Sequence, residues 1–188
     1  VFQRTCAVLA AAAALAGCAA LEPSRPPPAP AFDLLGRVAV SHEGRVFSSG
    51  VRWQHQAARD EIWLLTPAGQ ALAHIEADAE GAMLTAADGK QHRAGDVASL
   101  TRRALGWELP LEHLGWWVRG EILPGGIVGE VLRDREGRLV RLRQDGWQIT
   151  LTHAPGNERG SRPQRLELAR DAHQIRLVID GWRQEEAP

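Results

Sequence analysis

Asp145-Gly146-Trp147-Gln148-Ile149-Thr150-Leu151-Thr152 decides how this chain folds. Trp147, Ile149 and Leu151 alternate with Gln148, Thr150 and Thr152, and a period of two puts the first set on one face of a strand and the second on the other. Such a strand belongs to an antiparallel sheet that is packed on one side and wet on the other. Asp145-Gly146 suits a hairpin turn whose central residues take positive φ. The same signature recurs outward from this point. Ile175, Leu177 and Ile179 alternate near the C-terminal end, Leu34, Gly36, Val38 and Val40 share one face early in the chain, and Phe47, Val51 and Trp53 share one in the next run. Asp88-Gly89 and Glu136-Gly137 supply further turns. Short connections imply an antiparallel meander, and about ten or eleven candidate strands suffice for a strongly curved sheet or a barrel.

One region breaks the rhythm. Asp96 can cap a helix from Val97 towards Gly106 with Val97, Leu100, Ala104 and Leu105 on one side. Pro110 can open a second helix, in which Leu111, Leu114, Trp117 and Val118 recur at helical spacing before Gly120 ends it. A helical pair inserted in a meander covers one mouth or face of the sheet, so these four residues are expected to form a lid.

The N-terminal region carries a different message. An apolar run from Ala7 to Ala16 follows Arg4 and closes on Leu15-Ala16-Gly17-Cys18. The run is shorter than the roughly 20 residues a membrane-spanning helix needs, and it reads as a signal peptide, residues 1–17, that is removed. A cysteine directly after small residues is a bacterial lipoprotein signal, so Cys18 is expected to become the lipidated first residue. Two or more acyl chains hold a protein stably on a membrane where one does not. Ala19 is not the aspartate associated with inner-membrane retention, so the expected address is the outer membrane, on its periplasmic face. Pro23, Pro26, Pro27, Pro28 and Pro30 exclude a helix and favour extended chain. Residues 18–31 thus form a tether with a reach on the order of 30 Å, residues 32–184 the folded domain and residues 185–188 a tail.

Composition narrows the chemistry. The full chain has a formal charge of −1, and loss of the leader removes one arginine and no acid, so there is no basic surplus for nucleic acid. Of the two cysteines, Cys6 leaves with the leader and Cys18 carries lipid, which excludes disulfides, cysteine nucleophiles and thiolate metal sites from the domain. His42, His55, His74, His92, His113, His153 and His173 are scattered without HExxH spacing, so no metal is expected. Ser48-Ser49-Gly50 is not a nucleophile elbow. Gly125-Gly126 lacks the lysine of a phosphate loop, and Asp60-Glu61 and Glu185-Glu186 read as solvated charge. No enzyme and no cofactor is expected. The tryptophans Trp53, Trp63, Trp107, Trp116, Trp117, Trp147 and Trp182 either pack a core or line an apolar cavity. Trp116 and Trp117, adjacent on one helix, cannot both face inward, and the outward one is a candidate partner contact.

The chain resembles the LolB family. The resemblance rests on Phe32 to Val40 (FDLLGRVAV), Phe47 to Gln54 (FSSGVRWQ), Leu64 to Gly69 (LLTPAG), Pro110 to Gly120 (PLEHLGWWVRG), Gly146 to Leu151 (GWQITL) and Ile175 to Trp182 (IRLVIDGW), in the family's order. It implies an incomplete antiparallel β-barrel crossed by helices and enclosing an apolar cavity. That cavity would hold the acyl chains of lipoproteins received from the periplasmic carrier LolA, for insertion into the outer membrane by a monomer without covalent chemistry or nucleotide. Alternation nominates Val38, Val40, Phe47, Val51, Trp53, Trp147, Ile149, Leu151, Ile175, Leu177 and Ile179 as its inward residues. The resemblance also makes Pro67-Ala68-Gly69 a membrane-delivery loop, with Ala68 where the family has an exposed leucine and Leu72 the nearest substitute. On residues alone, this stretch reads as a plain hairpin connection. The competing reading of the whole is a structural or adaptor lipoprotein with a dry core that recruits a protein partner.

Overall fold

The computed structural model describes residues 29–56, 59–155 and 162–183. The leader, Cys18, most of the tether and the tail lie outside the described residues. Within them, eleven strands form one antiparallel sheet: β1 (Phe32–His42), β2 (Arg45–Gln56), β3 (Arg59–Leu65), β4 (Ala71–Asp78), β5 (Gly81–Ala86), β6 (Gln91–Ala94), β7 (Val128–Arg133), β8 (Leu139–Gln144), β9 (Trp147–Thr152), β10 (Arg165–Arg170) and β11 (His173–Arg183). Two helices, α1 (Val97–Leu105) and α2 (Leu111–Trp117), stand between β6 and β7.

The spatial order is β6-β5-β4-β3-β2-β1-β11-β10-β9-β8-β7. Two meanders, β1–β6 and β7–β11, are therefore joined by pairing of the first strand with the last, and β6 and β7 are the two free edges. The chain between these edges carries both helices, which is why they lie over the open side. The mainly β fold with a helical insertion read from the sequence is what the structure has, and the sheet remains open.

Turn chemistry sets the register. Asp145 and Gly146 both take positive φ, 49° and 80°, as a two-residue hairpin turn that matches strand twist requires. The Asp96 carboxylate accepts from the Ser99 amide at 2.7 Å, and Gly106 closes α1 in the left-handed conformation. Pro110 precedes α2 without a side-chain cap, and Gly120, at φ 76°, accommodates the turn after it.

At the central β1–β11 seam the register shifts between Leu35 and Gly36. A Cβ on Gly36 would lie 2.3 Å from the Val178 carbonyl oxygen, so this bulge is open only to glycine. The free edges are blunted differently. β6 is only four residues long, whereas β7 is interrupted by register shifts between Val128 and Val131 and between Leu132 and Arg133, which disrupt a template for further strands.

The chain reaches β1 through a buried polar node. His55 Nδ1 is 2.7 Å from Asp60 Oδ1, its Nε2 is 2.8 Å from the Ala29 carbonyl, and Trp53 Nε1 donates to the same Asp60 oxygen. Both imidazole nitrogens face acceptors, so the ring satisfies both only as the two-donor imidazolium. Burial pushes its pKa down, but the Asp60 hydrogen bond and charge and the Ala29 carbonyl outweigh burial and the opposing Arg119, leaving the value raised. Ala29 is itself buried, against the Gly115 position of α2.

Two tests follow from this geometry. Gly36→Ala is expected to lose about 1–3 kcal/mol in urea unfolding through overpacking of backbone on backbone. Gly181→Ala, with open space around the new methyl, should be neutral or slightly stabilising. For His55, a raised folded pKa means its contribution is complete below the ordinary histidine value of about 6.5 and is lost as pH rises through the raised value. The unfolding midpoint should fall across that window, and His55→Gln should flatten the dependence.

Candidate functional site

Register parity gives the sheet one continuous apolar face. Val40 pairs with Phe47 and Ile175, Val38 with Leu177, and Gly36 with Val51 and Ile179. Leu168 pairs with Ile149 and Ile175, and Leu166 with Leu151 and Leu177. All eleven residues nominated by alternation belong to this face. Ten are buried in one core, and Phe47 is half-buried at its margin, 6.2 Å from Trp107. Leu34, Ile62, Leu64, Ile75, Leu84, Leu139, Leu142, Leu166 and Leu168 extend the same core beyond the sequence nominations.

The helices fill this face. Leu111, Leu114, Trp117 and Val118 are all buried in the core. Trp116 is half-exposed while Trp117 is completely buried. The helical cover is held by specific polar contacts. Trp117 Nε1 donates to Gln144 Oε1 at 2.9 Å, and Gln144 Nε2 donates to the Leu123 carbonyl at 2.7 Å. The Leu123 amide returns to Gln144 Oε1 at 3.2 Å. One buried glutamine on β8 thus fastens α2 and the segment after it. Thr101 Oγ1 ties α1 to the linker by donating to the Val97 carbonyl and accepting from the Leu109 amide.

The linker also carries a charged latch. The Glu108 carboxylate meets Arg102 of α1 at 2.8 Å and Arg170 of β10 at 2.9 Å. Burial raises the Glu108 pKa, but the two arginines outweigh it and hold the carboxyl below its ordinary range. Arg170 lies 4.4 Å over the Trp147 ring, so the latch closes directly above a concave-face tryptophan.

Among the described residues, the sheet residues under the helices are buried. A cavity of about 230 Å³ runs between Glu108, Leu109, Leu111, His113, Trp147 and Arg170, below the roughly 300–1,000 Å³ of ordinary ligand pockets. A larger indentation of about 790 Å³ is an open groove at the Phe32 end, where Arg162 stacks on Trp182. Of the nominated residues, it touches Ile179 alone. Trp53, Trp107, Trp117 and Trp147 join the core. Trp63 is on the convex face, stacked on His74 at 4.8 Å and beneath Arg52.

The β3–β4 connection is a tight exposed turn. The Thr66 amide donates to the Gln70 carbonyl at 2.8 Å, the Gly69 amide to the Thr66 carbonyl, and Gly69 takes φ 80°. Pro67, Ala68 and Gly69 are all exposed, with Leu72 partly exposed just beyond. This turn follows a strand that stops midway along the sheet, since Leu65 pairs with Gly50, which pairs with Arg37 of β1, while Phe32 at the Ala29 end pairs with His55. Among the described residues there is no cluster of three or more potential metal-ligating His, Cys, Asp or Glu side chains.

The architecture is an open antiparallel sheet with one apolar face, covered by a helical pair inserted between its edges. A solved structure from Vibrio parahaemolyticus, provisionally described as an outer membrane lipoprotein-sorting protein domain, superposes with a TM-score of 0.50 over 85% of this chain and 87% of that one. The two are 9% identical, so this likeness concerns the fold alone. Residues 30–182 match the family described as Outer membrane lipoprotein LolB, and the chain belongs to that family. The outer-membrane lipoprotein LolB of Thiobacillus denitrificans is 39% identical over 96% of this chain and 98% of its own length. That of Nitrosomonas europaea is 40% identical over 82% and 73%.

Gln144→Leu tests the fastening of the cover. It strands the Trp117 N–H and both Leu123 backbone groups, and is expected to cost on the order of 3 kcal/mol in urea unfolding. Trp117 should gain mobility in near-ultraviolet circular dichroism.

Proposed function

We propose that this chain is an outer-membrane lipoprotein, anchored through Cys18, that takes acylated lipoproteins from the periplasmic carrier LolA and passes them into the outer membrane. The observation that carries this reading is the one-sided apolar face, continuous across the sheet and covered chiefly by a short helical pair. That pair is attached to the sheet by a few side-chain contacts: Trp117 to Gln144, His113 to Asp145, Arg103 to the Arg93 carbonyl, and the partly exposed Glu108 latch to Arg170. Such a cover can be displaced, and acyl chains can take the place of its side chains on the same surface.

No covalent step or nucleotide is required. Chains moving from one apolar site to another expose little hydrocarbon to water, and direction comes from differential affinity, tenfold for every 1.4 kcal/mol. The Pro67-Ala68-Gly69 turn serves as the delivery contact. The tether's reach, on the order of 30 Å, is comparable with the length of β1, eleven residues or roughly 36 Å at 3.3 Å each. A domain lying along the bilayer can therefore bring this turn, which follows Leu65 midway along the sheet, to the membrane that holds Cys18.

The filled concave face also supports the adaptor reading, in which the core stays dry and the half-exposed Trp116 meets a protein partner. Transfer separates the two. The mature chain, residues 18–188 with Cys18→Ala, is mixed with LolA loaded with a labelled lipoprotein, and the label is followed. Movement of the label to this chain is expected, and retention on a demonstrably loaded carrier would favour the adaptor. In the lipidated protein, Ala68→Leu adds about 1–2 kcal/mol of apolar membrane contact. Delivery into liposomes should rise roughly five- to thirtyfold with acceptance from LolA unchanged.

A further inference from the structure

Two histidines end the apolar rows of the concave face. His42 follows Val38 and Val40 at the same parity on β1, and His173 precedes Ile175, Leu177 and Ile179 at the same parity on β11; the two are register partners. Their rings are 5.2 Å apart. His173 is 6% exposed and is walled by the edges of Trp147 at 5.5 Å and Trp107 at 6.3 Å. His173 Nε2 and His42 Nδ1 are both buried and have no hydrogen-bond partner. A buried polar nitrogen aimed among indoles is costly unless something else satisfies it.

We propose that this histidine pair binds the polar head of the acyl site: His173 Nε2–H donates to an ester carbonyl of the client's diacylglyceryl group, with His42 beside it, while the chains run along the Val38/Val40 and Ile175/Leu177/Ile179 rows. The inference rests on the acceptor function proposed above and identifies the chemical group recognised there. The shape fits an amphiphile, since long apolar rows end in a single polar pair. The charge fits a neutral acceptor. Burial, His42 and Arg170 all disfavour protonation of His173, with Glu108 opposing, so the ring offers one N–H rather than a cation for phosphate. The guanidinium that acts on His173, that of Arg170, is already engaged by Glu108. Trp107 and the Glu108 latch belong to the same linker, so displacing it uncovers the apolar rows and the histidines together.

The test compares two ligands of equal chain length, an S-diacylglyceryl-cysteinyl peptide and its dialkyl ether counterpart, which lacks the ester carbonyls. Binding to the mature chain with Cys18→Ala is measured by displacement of a fluorescent fatty probe. Wild type should prefer the ester about tenfold, and His173→Leu should abolish the preference while leaving the ether's affinity within about twofold. His173→Gln, which restores an N–H donor, should recover part of it. If His173→Leu lowers the melting temperature, His173→Phe keeps a ring between the indoles and gives the same reading. Equal binding of ester and ether by wild type, or a preference that survives loss of the imidazole, overturns this proposal and leaves the acceptor function standing. Failure of wild type to bind either lipid overturns the acceptor function itself.

Discussion

Everything in this molecule answers to one constraint: an open sheet with a single apolar face cannot cover that face by itself. A sandwich would supply a second sheet and a closed barrel would wrap the face inward. Here the edges β6 and β7 stay apart, and the chain between them must provide the cover. The inserted pair is short, nine and seven residues, so helix propensity alone cannot hold it. Its stability comes from apolar burial on the sheet, supplemented by the contacts of Gln144, Thr101 and Glu108, the His113–Asp145 pair and the Arg103 bond to the Arg93 carbonyl.

Those fastenings differ in kind, and the difference bears on function. Gln144 is completely buried and makes three hydrogen bonds, one to Trp117 of α2 and two to Leu123 just after it, so it breaks only with loss of packing. Glu108 is partly wet and grips two arginines by charge, which water screens and competes for. Opening that starts at the linker and keeps α2 in place costs least. That motion would lift Trp107 away with the linker and first uncover the end of the sheet bearing Trp147, His42 and His173.

The sheet was legible wherever one face is apolar and the other polar, as in β9 and in β11 from Ile175 to Ile179. In β3 the signal failed for a physical reason. Ile62-Trp63-Leu64-Leu65 reads as one apolar run because the convex face is apolar there too, with Trp63 held between Arg52 and His74. The helix boundaries were legible from Asp96, Gly106 and Pro110, whose backbone roles are local. Gln144, His42, His55 and His173 were not legible as members of the concave face, since their polarity removed them from an apolar pattern. Period two alone would have placed them there. Gln144 follows Leu142 by two, His42 follows Val40, His55 follows Trp53, and His173 precedes Ile175, and each is turned inward.

This parity rule separates the polar residues of the face by what lies at their ends of the strands. His55, where the chain comes in, finds both a carboxylate and a carbonyl, so its two nitrogens are spent on fixing Ala29 beneath α2. Gln144 finds the backbone of Leu123 and the indole of Trp117, and is likewise consumed by architecture. His42 and His173, at the opposite end of β1 from Ala29, meet aromatic edges and each other. On this face His55 and Gln144 are saturated by the fold, whereas the buried His42 Nδ1 and His173 Nε2 are not, and that contrast is what the proposed headgroup site rests on.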